Sequence, residues 1–431
     1  MGRLREDHAS SPIISRRTLL KGAVASTILA TTGLLGLTAC GGNDGGKIQL
    51  VLWYWDGGID DKLIGQVNTI FPHINLVAEK ISSIDSKLRT SMAAQNGVPD
   101  IMSLNSTIAT YFPDEDQFYD LRTLGADDVR SQYLSWKWDL GIAPGGKMIG
   151  FPMDTGPTAL FYRSDLFAKA GLPTDAQQVS ERLKTWDDYL QAGVQLRTAT
   201  NGNVYMVDSI RTIYNYMLSQ SSKQYFDKLT GRYIGDQLYM RQMWNMSVRA
   251  VPMQVTAKVP DANWNQAISN GLVASFVGAV WRKADLASGA PDTSGKWRIA
   301  RSPGGDGNYG GSFLAISKYC QHPQEAFAVI KWLQSPQNQV TAYKDIQLYP
   351  SALAAFDDPG LHSSETFYGG QDTTQIFAAA AKNVPKMFMA PYDGIASAPF
   401  YEELSLVESR NKSPEQAWND AQNEARREIL L

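Results

Sequence analysis

The sequence is poor in the residues that make metal sites, disulfides and basic surfaces. Two cysteines, Cys40 and Cys320, and four histidines occur in 431 residues. No C-x-x-C is present, and His8, His73, His322 and His362 never fall at metal-ligand spacing, which excludes the common zinc arrangements. No excess of positive charge exists either. Five basic and two acidic groups lie in residues 1–39, leaving 35 against 41 and a net −6 in the rest. Such a chain offers no basic field to nucleic acid or anionic lipid. It has no internal repeat, low-complexity tract or long proline-rich linker. A 43% hydrophobic and 19% charged composition is that of an ordinary globular protein, long enough for two or three domains' worth of core.

The N-terminus reads as a targeting segment rather than as fold. Paired arginines in "SRRTLLKG" precede an apolar run from Gly22 to Leu37, then "LTAC" ending at Cys40. This resembles a twin-arginine export signal joined to a bacterial lipoprotein cleavage box, in which the cysteine is acylated and becomes the new N-terminus. Leu19 stands where the twin-arginine pattern often has Phe, so the general export route stays open beside it. The apolar run is short for a membrane span. With Cys40 acylated, Cys320 has no disulfide partner and reads as a small packed residue. "GGNDGG" would then be a flexible tether. The implied location is outside the cell membrane, anchored through lipid on Cys40.

From Lys47 short apolar runs alternate with helical ones. "KIQLVLWYW" is a strand, 60–71 a helix, "HINLVAEK" a second strand and "DIMSL" a third. Ile84, Leu88 and Met92 recur at helical spacing, with Asn96-Gly97 as a stop. The alternation predicts an α/β fold with a parallel sheet covered on both faces, whose ligands bind beyond the carboxyl ends of strands. Thr185 with Asp188, and Ser413 with Pro414 and Gln416, mark two helix starts. His322 before Pro323 marks another.

Formal motifs are weak. "GDGNYG" (305–310) matches G-x-G-x-x-G, but a dinucleotide site needs a helix after it and "SFLAIS" is strand-like. A glycine-rich turn is the better account. "PDEDQFYD" (113–120) lacks the glycine of an EF-hand loop and reads as solvated. The aromatics are more informative: 11 tryptophans and 19 tyrosines, many in polar or glycine-rich settings. A pyranose presents an apolar C–H face and a rim of hydroxyls, which an aromatic ring and neighbouring polar groups satisfy within a concave site. Against this stands the plain alternative that each ring fills core.

Several segments resemble the extracellular solute-binding lipoproteins of carbohydrate ABC importers, the maltose-binding-protein-like group. They are "LVLWYWD", "FPHINLVAEK" with "GVPDIMSL", "IGFPMDTGPTALFYRSDLFAKAGLPT" with "KTWDDYLQAG", "NGLVASFVGAVW", and the stretch from "WRIARSPGGDGNYGGSF" to "SPQNQ". The resemblance implies a class II periplasmic-binding-protein fold: two α/β lobes joined by a multi-strand hinge that closes over ligand. It places a signal at 1–39 and a lipidated tether at 40–47. The N-terminal lobe would comprise 48–136 and 305–348, the C-terminal lobe 137–304 and 349–431, with crossings near 134–140, 299–305 and 348–351.

Carried over residue by residue, the resemblance implies ligand contacts from Trp55, Asp56, Glu79, Asn105, Asp154, Trp281, Tyr309, Gly311, Ser312 and Tyr392. Trp53 and Tyr54 would pack on opposite faces of their strand. No catalysis, cofactor or metal is implied; the partners are an oligosaccharide and a permease, and the protein is a monomer. Two other readings remain. One is a phosphorylated solute or polyamine as ligand, with Arg163, Arg211 and Arg282 available for an anion. The other is an exported carbohydrate-active enzyme with two carboxylates across a cleft.

Overall fold

Side-chain alternation along the first strand decides how the N-terminal half is layered. A computed structural model describes residues 46–430; the export signal, Cys40 and most of the tether lie outside the described residues. In β1 (Ile48–Tyr54), successive side chains point to opposite faces. Leu50, Leu52 and Tyr54 enter one hydrophobic cluster with Leu63, Val67 and Phe327, while Trp53 enters another with Leu88, Met92 and Met102. Both faces are buried, as parallel strands require. The helix Asp61–Ile70 starts where Asp60 accepts the Lys62 N–H at 2.8 Å. The helix Ile84–Ala94 buries Ile84, Leu88 and Met92 and ends at Gln95 in the left-handed region.

β2 (Ile74–Lys80) and β3 (Ile101–Leu104) flank β1 in parallel. Two further strands complete this five-stranded sheet in the order β2-β1-β3-β9-β4: β4 (Phe151–Pro152) and, later in the chain, β9 (Phe313–Ile316). The parallel expectation fails at one strand: β9 runs antiparallel to both β3 and β4, while the other four share a direction. The reason is its route. β9 arrives from the other half of the molecule instead of through a helical crossover.

Between β4 and β9 the chain forms a short segment β5 (Asp154–Thr155) and the strands β6 (Thr158–Arg163), β7 (Ser275–Ala279) and β8 (Trp297–Ala300). The last three make a second, wholly antiparallel sheet, β7-β6-β8. Leu160 and Tyr162 of β6 face the helices Trp186–Ala199, Ile210–Ser219 and Asp393–Arg410; Ala159 and Phe161 face the other way. Thr185 and Asp188 close the expected capping box reciprocally, with Asp in the place usual for Glu. The C-terminal helix starts at Pro414 as expected, but Ser413 makes no side-chain cap bond. There the fixed φ of Pro414 sets the start.

Three passages join the two halves of the molecule. The first runs through Met153–Pro157, later than the expected 134–140, because Phe151 and Pro152 still pair with β9. Residues 135–140 are instead a helix whose Trp136 and Trp138 are both buried, an apolar density that imitates a strand. The second passage is 301–312, and the third is β10 (Tyr349–Pro350), which pairs antiparallel with β5. The buried Gln339 side chain ties the first and third together. Its Nε2 donates to the Met153 carbonyl at 3.0 Å, and its Oε1 accepts the Ser351 and Ala352 N–H groups, each at 2.8 Å.

One buried acid makes stability depend on pH. Glu408 accepts the Ile210 N–H at 3.2 Å, and burial pushes its carboxyl up to about 7. The folded state therefore holds a proton that the unfolded chain releases near pH ~4.3, and stability falls as pH rises from there through 7. Glu408→Gln should raise Tm at pH 8, by about 1–3 kcal/mol of stability, and match the wild type at pH 4.5. Thermal unfolding at both pH values checks this; an equal gap at both would refute it.

Candidate binding cleft

The first two passages touch backbone to backbone, and that contact sets the floor of a cleft between the sheets. The Tyr309 N–H donates to the Gly156 carbonyl at 2.8 Å, and Asn308 Oδ1 accepts the Gly156 N–H at 2.8 Å. A Cβ on Gly156 would lie 2.0 Å from the Tyr309 carbonyl oxygen. Gly311, at φ +91°, would place one 2.7 Å from the Asp154 carbonyl oxygen. "GDGNYG" is thus a turn between β8 and β9, with no helix after it.

β7 ends at this floor and delivers Trp281. The Val280 N–H donates to the Pro157 carbonyl at 3.0 Å, and the next residue begins the turn into the helix Arg282–Gly289. The Trp281 indole N–H donates to the Tyr309 carbonyl at 3.1 Å. Its ring stays 37% exposed and that of Tyr309 43%, with centroids 6.3 Å apart and a 36° tilt. Tyr216 packs edge-on against Tyr309 at 5.8 Å. Two large rings are thereby fixed from behind and left open in front.

A cavity of about 470 Å³ lies before them. Ser106, Thr107, Lys137 and Phe313 form its first-sheet wall. Asn215, Gln224, Asp393 and Tyr401 belong to the opposite wall, with Met387 and Met389. A second cavity, about 660 Å³, shares Asn215, Trp281, Tyr309 and Tyr401 with the first, so one groove runs past both rings. Its arginines are each matched: Arg211 lies 3.5 Å from Asp261, and Arg282 lies 3.2 Å from Asp285. Arg163 lines neither cavity and gives both of its bonds to Asp165, at 2.8 and 2.7 Å. No unmatched pair of guanidinium groups converges on an anion here.

Of the residues expected from the sequence, Trp281, Tyr309 and Gly311 come together on the cavity wall. Asp154 and Ser312 lie just behind it, the Ser312 N–H donating to Asp154 Oδ1 at 2.7 Å. Burial pushes the Asp154 carboxyl above its ordinary range, while the nearby Lys137 pulls it down. The others stand outside this wall. Trp55 is half-buried and folds over Gly58, where an added Cβ would meet its ring at 2.8 Å. Asp56 is exposed and paired with Lys80 at 2.8 Å. Glu79 is half-exposed, 3.8 Å from Lys87. Asn105 bonds Asp85 at 2.6 Å and the Thr107 N–H at 2.8 Å. Tyr392 stands half-exposed, 6.3 Å from Phe226, and the next residue, Asp393, lines the cavity instead. Sequence reasoning missed Lys137, Asn215, Asp393 and Tyr401. Only Lys137 carried a visible signal, a lone cation between two buried tryptophans in "SWKWDL".

The close approach at Gly156 predicts an asymmetry between two glycines. Gly156→Ala should cost about 3 kcal/mol or more, since a backbone oxygen must move. Gly65→Ala, on an exposed helix position with open space for a Cβ, should stabilise by about 0.5–1 kcal/mol. Denaturant unfolding of both variants tests the passage geometry, and equal effects would contradict it.

Comparison with known proteins agrees with this architecture. Residues 61–340 match the family of bacterial extracellular solute-binding proteins. The chain is 26% identical over 306 residues to an arabinooligosaccharide-binding protein of Bacillus subtilis (strain 168), covering 65% of this chain and 68% of that one. It is 24% identical over 300 residues to a lactose-binding protein of Rhizobium radiobacter, covering 66% and 67%. A crystal structure described as extracellular solute-binding protein family 1 superposes with a TM-score of 0.84 at 30% identity, over 88% of this chain and 99% of that one. The fold is the two-lobed periplasmic-binding-protein fold of class II, with the groove between the lobes. The chain belongs to the bacterial extracellular solute-binding protein family.

Proposed function

We propose that the chain is the substrate-binding lipoprotein of an ABC importer, which captures a neutral oligosaccharide in the groove by lobe closure and presents it to the permease. The observation that carries this reading is the combination of two open rings, Trp281 and Tyr309, with a groove whose arginines are already matched by carboxylates. The rings suit the apolar faces of successive sugar units, and Thr107, Asn215 and Ser397 suit the hydroxyl rim. The relatives named for lactose and arabinooligosaccharide support a neutral ligand. The matched arginines weigh against a phosphorylated solute.

The proposal includes no catalysis. Asp393 lines the smaller cavity, and Asp261 and Asp285 of the larger are paired with Arg211 and Arg282, whereas glycoside hydrolysis takes two carboxyl groups facing each other across the bond. The lobes divide at the three passages. Asp154 and Ser312 contribute by holding the floor, and Trp55, Asp56, Glu79, Asn105 and Tyr392 reach ligand only if closure or chain length extends the site to them. Cys40 carries the lipid, and the protein acts as a monomer.

Calorimetric titration with lactose, arabinotriose, maltose and β-1,6-galactobiose, beside glucose 6-phosphate and spermidine, tests the ligand class. Tight binding of a neutral sugar without product formation is expected; heat from the phosphate or the amine alone would overturn the reading. For the sugar that binds, Trp281→Ala should weaken affinity at least tenfold, or about 1.4 kcal/mol, with thermal unfolding unchanged. Saturation should also reduce the radius of gyration in small-angle scattering. For the anchor, Cys40→Ser should move the protein from the detergent phase to the aqueous phase.

A further inference from the structure

Lys137 is placed as few lysines are. It sits on the helix Ser135–Leu140 with 1% of its surface exposed, between Trp136 and Trp138, which pack into two different hydrophobic clusters. The side chain therefore leaves the helix on a third face, toward the cleft. Its Nζ lies 3.4 Å from the centroid of the Phe313 ring, and a Cβ on Gly311 would come within 3.1 Å of it. Lys137, Phe313 and Gly311 all line the 470 Å³ cavity. Asp154 is the nearby opposite charge, but its Oδ1 is taken by the Ser312 N–H and no ion pair within 4.0 Å forms. Among the described residues, nothing accepts a hydrogen bond from the ammonium.

A buried ammonium without acceptors carries a desolvation cost of several kcal/mol. The face of Phe313 returns only about 2 kcal/mol of that. A Met or Leu would fill the same space without the cost. Beyond offsetting Asp154, the charge has a use if something entering the cavity accepts from its N–H donors.

Building on the sugar reading above, we propose that Lys137 is a ligand-binding residue whose ammonium donates hydrogen bonds to hydroxyl oxygens of the sugar unit lying at the floor of the cleft, beside Trp281. It selects a unit that turns two vicinal oxygens toward the floor, because a single ammonium can serve both. A deoxy unit there leaves the donors unmet.

The alternative role is structural, compensating Asp154, and a four-corner set separates the two. Wild type, Lys137→Met, Asp154→Asn and the double variant are titrated with the same four neutral sugars, with thermal unfolding measured on each. For whichever sugar binds the wild type, the double variant should bind at least tenfold more weakly than Asp154→Asn alone, which isolates the loss of the ammonium from the loss of the carboxylate. Affinity of the double variant within threefold of Asp154→Asn would overturn the proposal and leave Lys137 as a counter-charge only. A wild type silent to all four sugars would overturn the sugar reading and this assignment with it.

Should the Lys137 variants not fold, the wild type still decides. In a lysine-labelled NMR spectrum, the ring current of Phe313 sets the Lys137 ε-methylene signal apart. That signal should move on saturation with the sugar that calorimetry finds, and a fixed signal would refute the contact.

Discussion

Three passages of chain run between the lobes, and none has a full ladder to satisfy its peptide groups. Every buried N–H and C=O in those passages needs a partner, and side chains supply many of them. Gln339 bonds the first and third passages at once; Ser351 Oγ donates to the Met153 carbonyl at 2.8 Å; Thr155 Oγ1 donates to the Pro350 carbonyl at 2.9 Å; Asn308 and Asp154 each hold a backbone N–H. Pro152 and Pro350 cannot donate to a ladder at all. A joint built this way is specific without being a continuous sheet. Hinge motion needs that property, since a few local dihedral changes must not unzip a ladder.

The same joint organises the cleft. Backbone contact between the first two passages requires glycine at 156 and 311, and it aims the Tyr309 carbonyl at the Trp281 indole. The stacking pair is thus an outcome of how the lobes are connected. The first lobe adds Ser106 and Thr107, after β3, and the buried Lys137 to the same cavity wall.

How much of this was legible in the sequence follows from the range of each interaction. Trp53 and Tyr54 could be assigned to opposite faces because strand periodicity is local, and both are buried as expected. The capping box at Thr185 and the spacing of Ile84, Leu88 and Met92 are equally local. The place of Trp281 on the cavity wall was legible because a motif ends on it. Asp56 and Glu79 were placed toward ligand by family pattern, but their lysine partners, Lys80 and Lys87, lie on other elements and could not be paired from the sequence. The antiparallel course of β9 and the late first crossing were hidden for the same reason. Two-residue pairings such as Phe151–Pro152 with β9 carry no periodicity to read.

The matched arginines of the groove have a kinetic consequence. With the groove's arginines paired and the proposed sugar neutral, association gains nothing from electrostatic steering. Salt that screens exposed charges over ~10 Å then has little to screen between ligand and groove. Loading of the protein should follow solute concentration much the same in dilute water as in brine, a useful constancy for a chain working outside the cell, where ionic strength is not regulated.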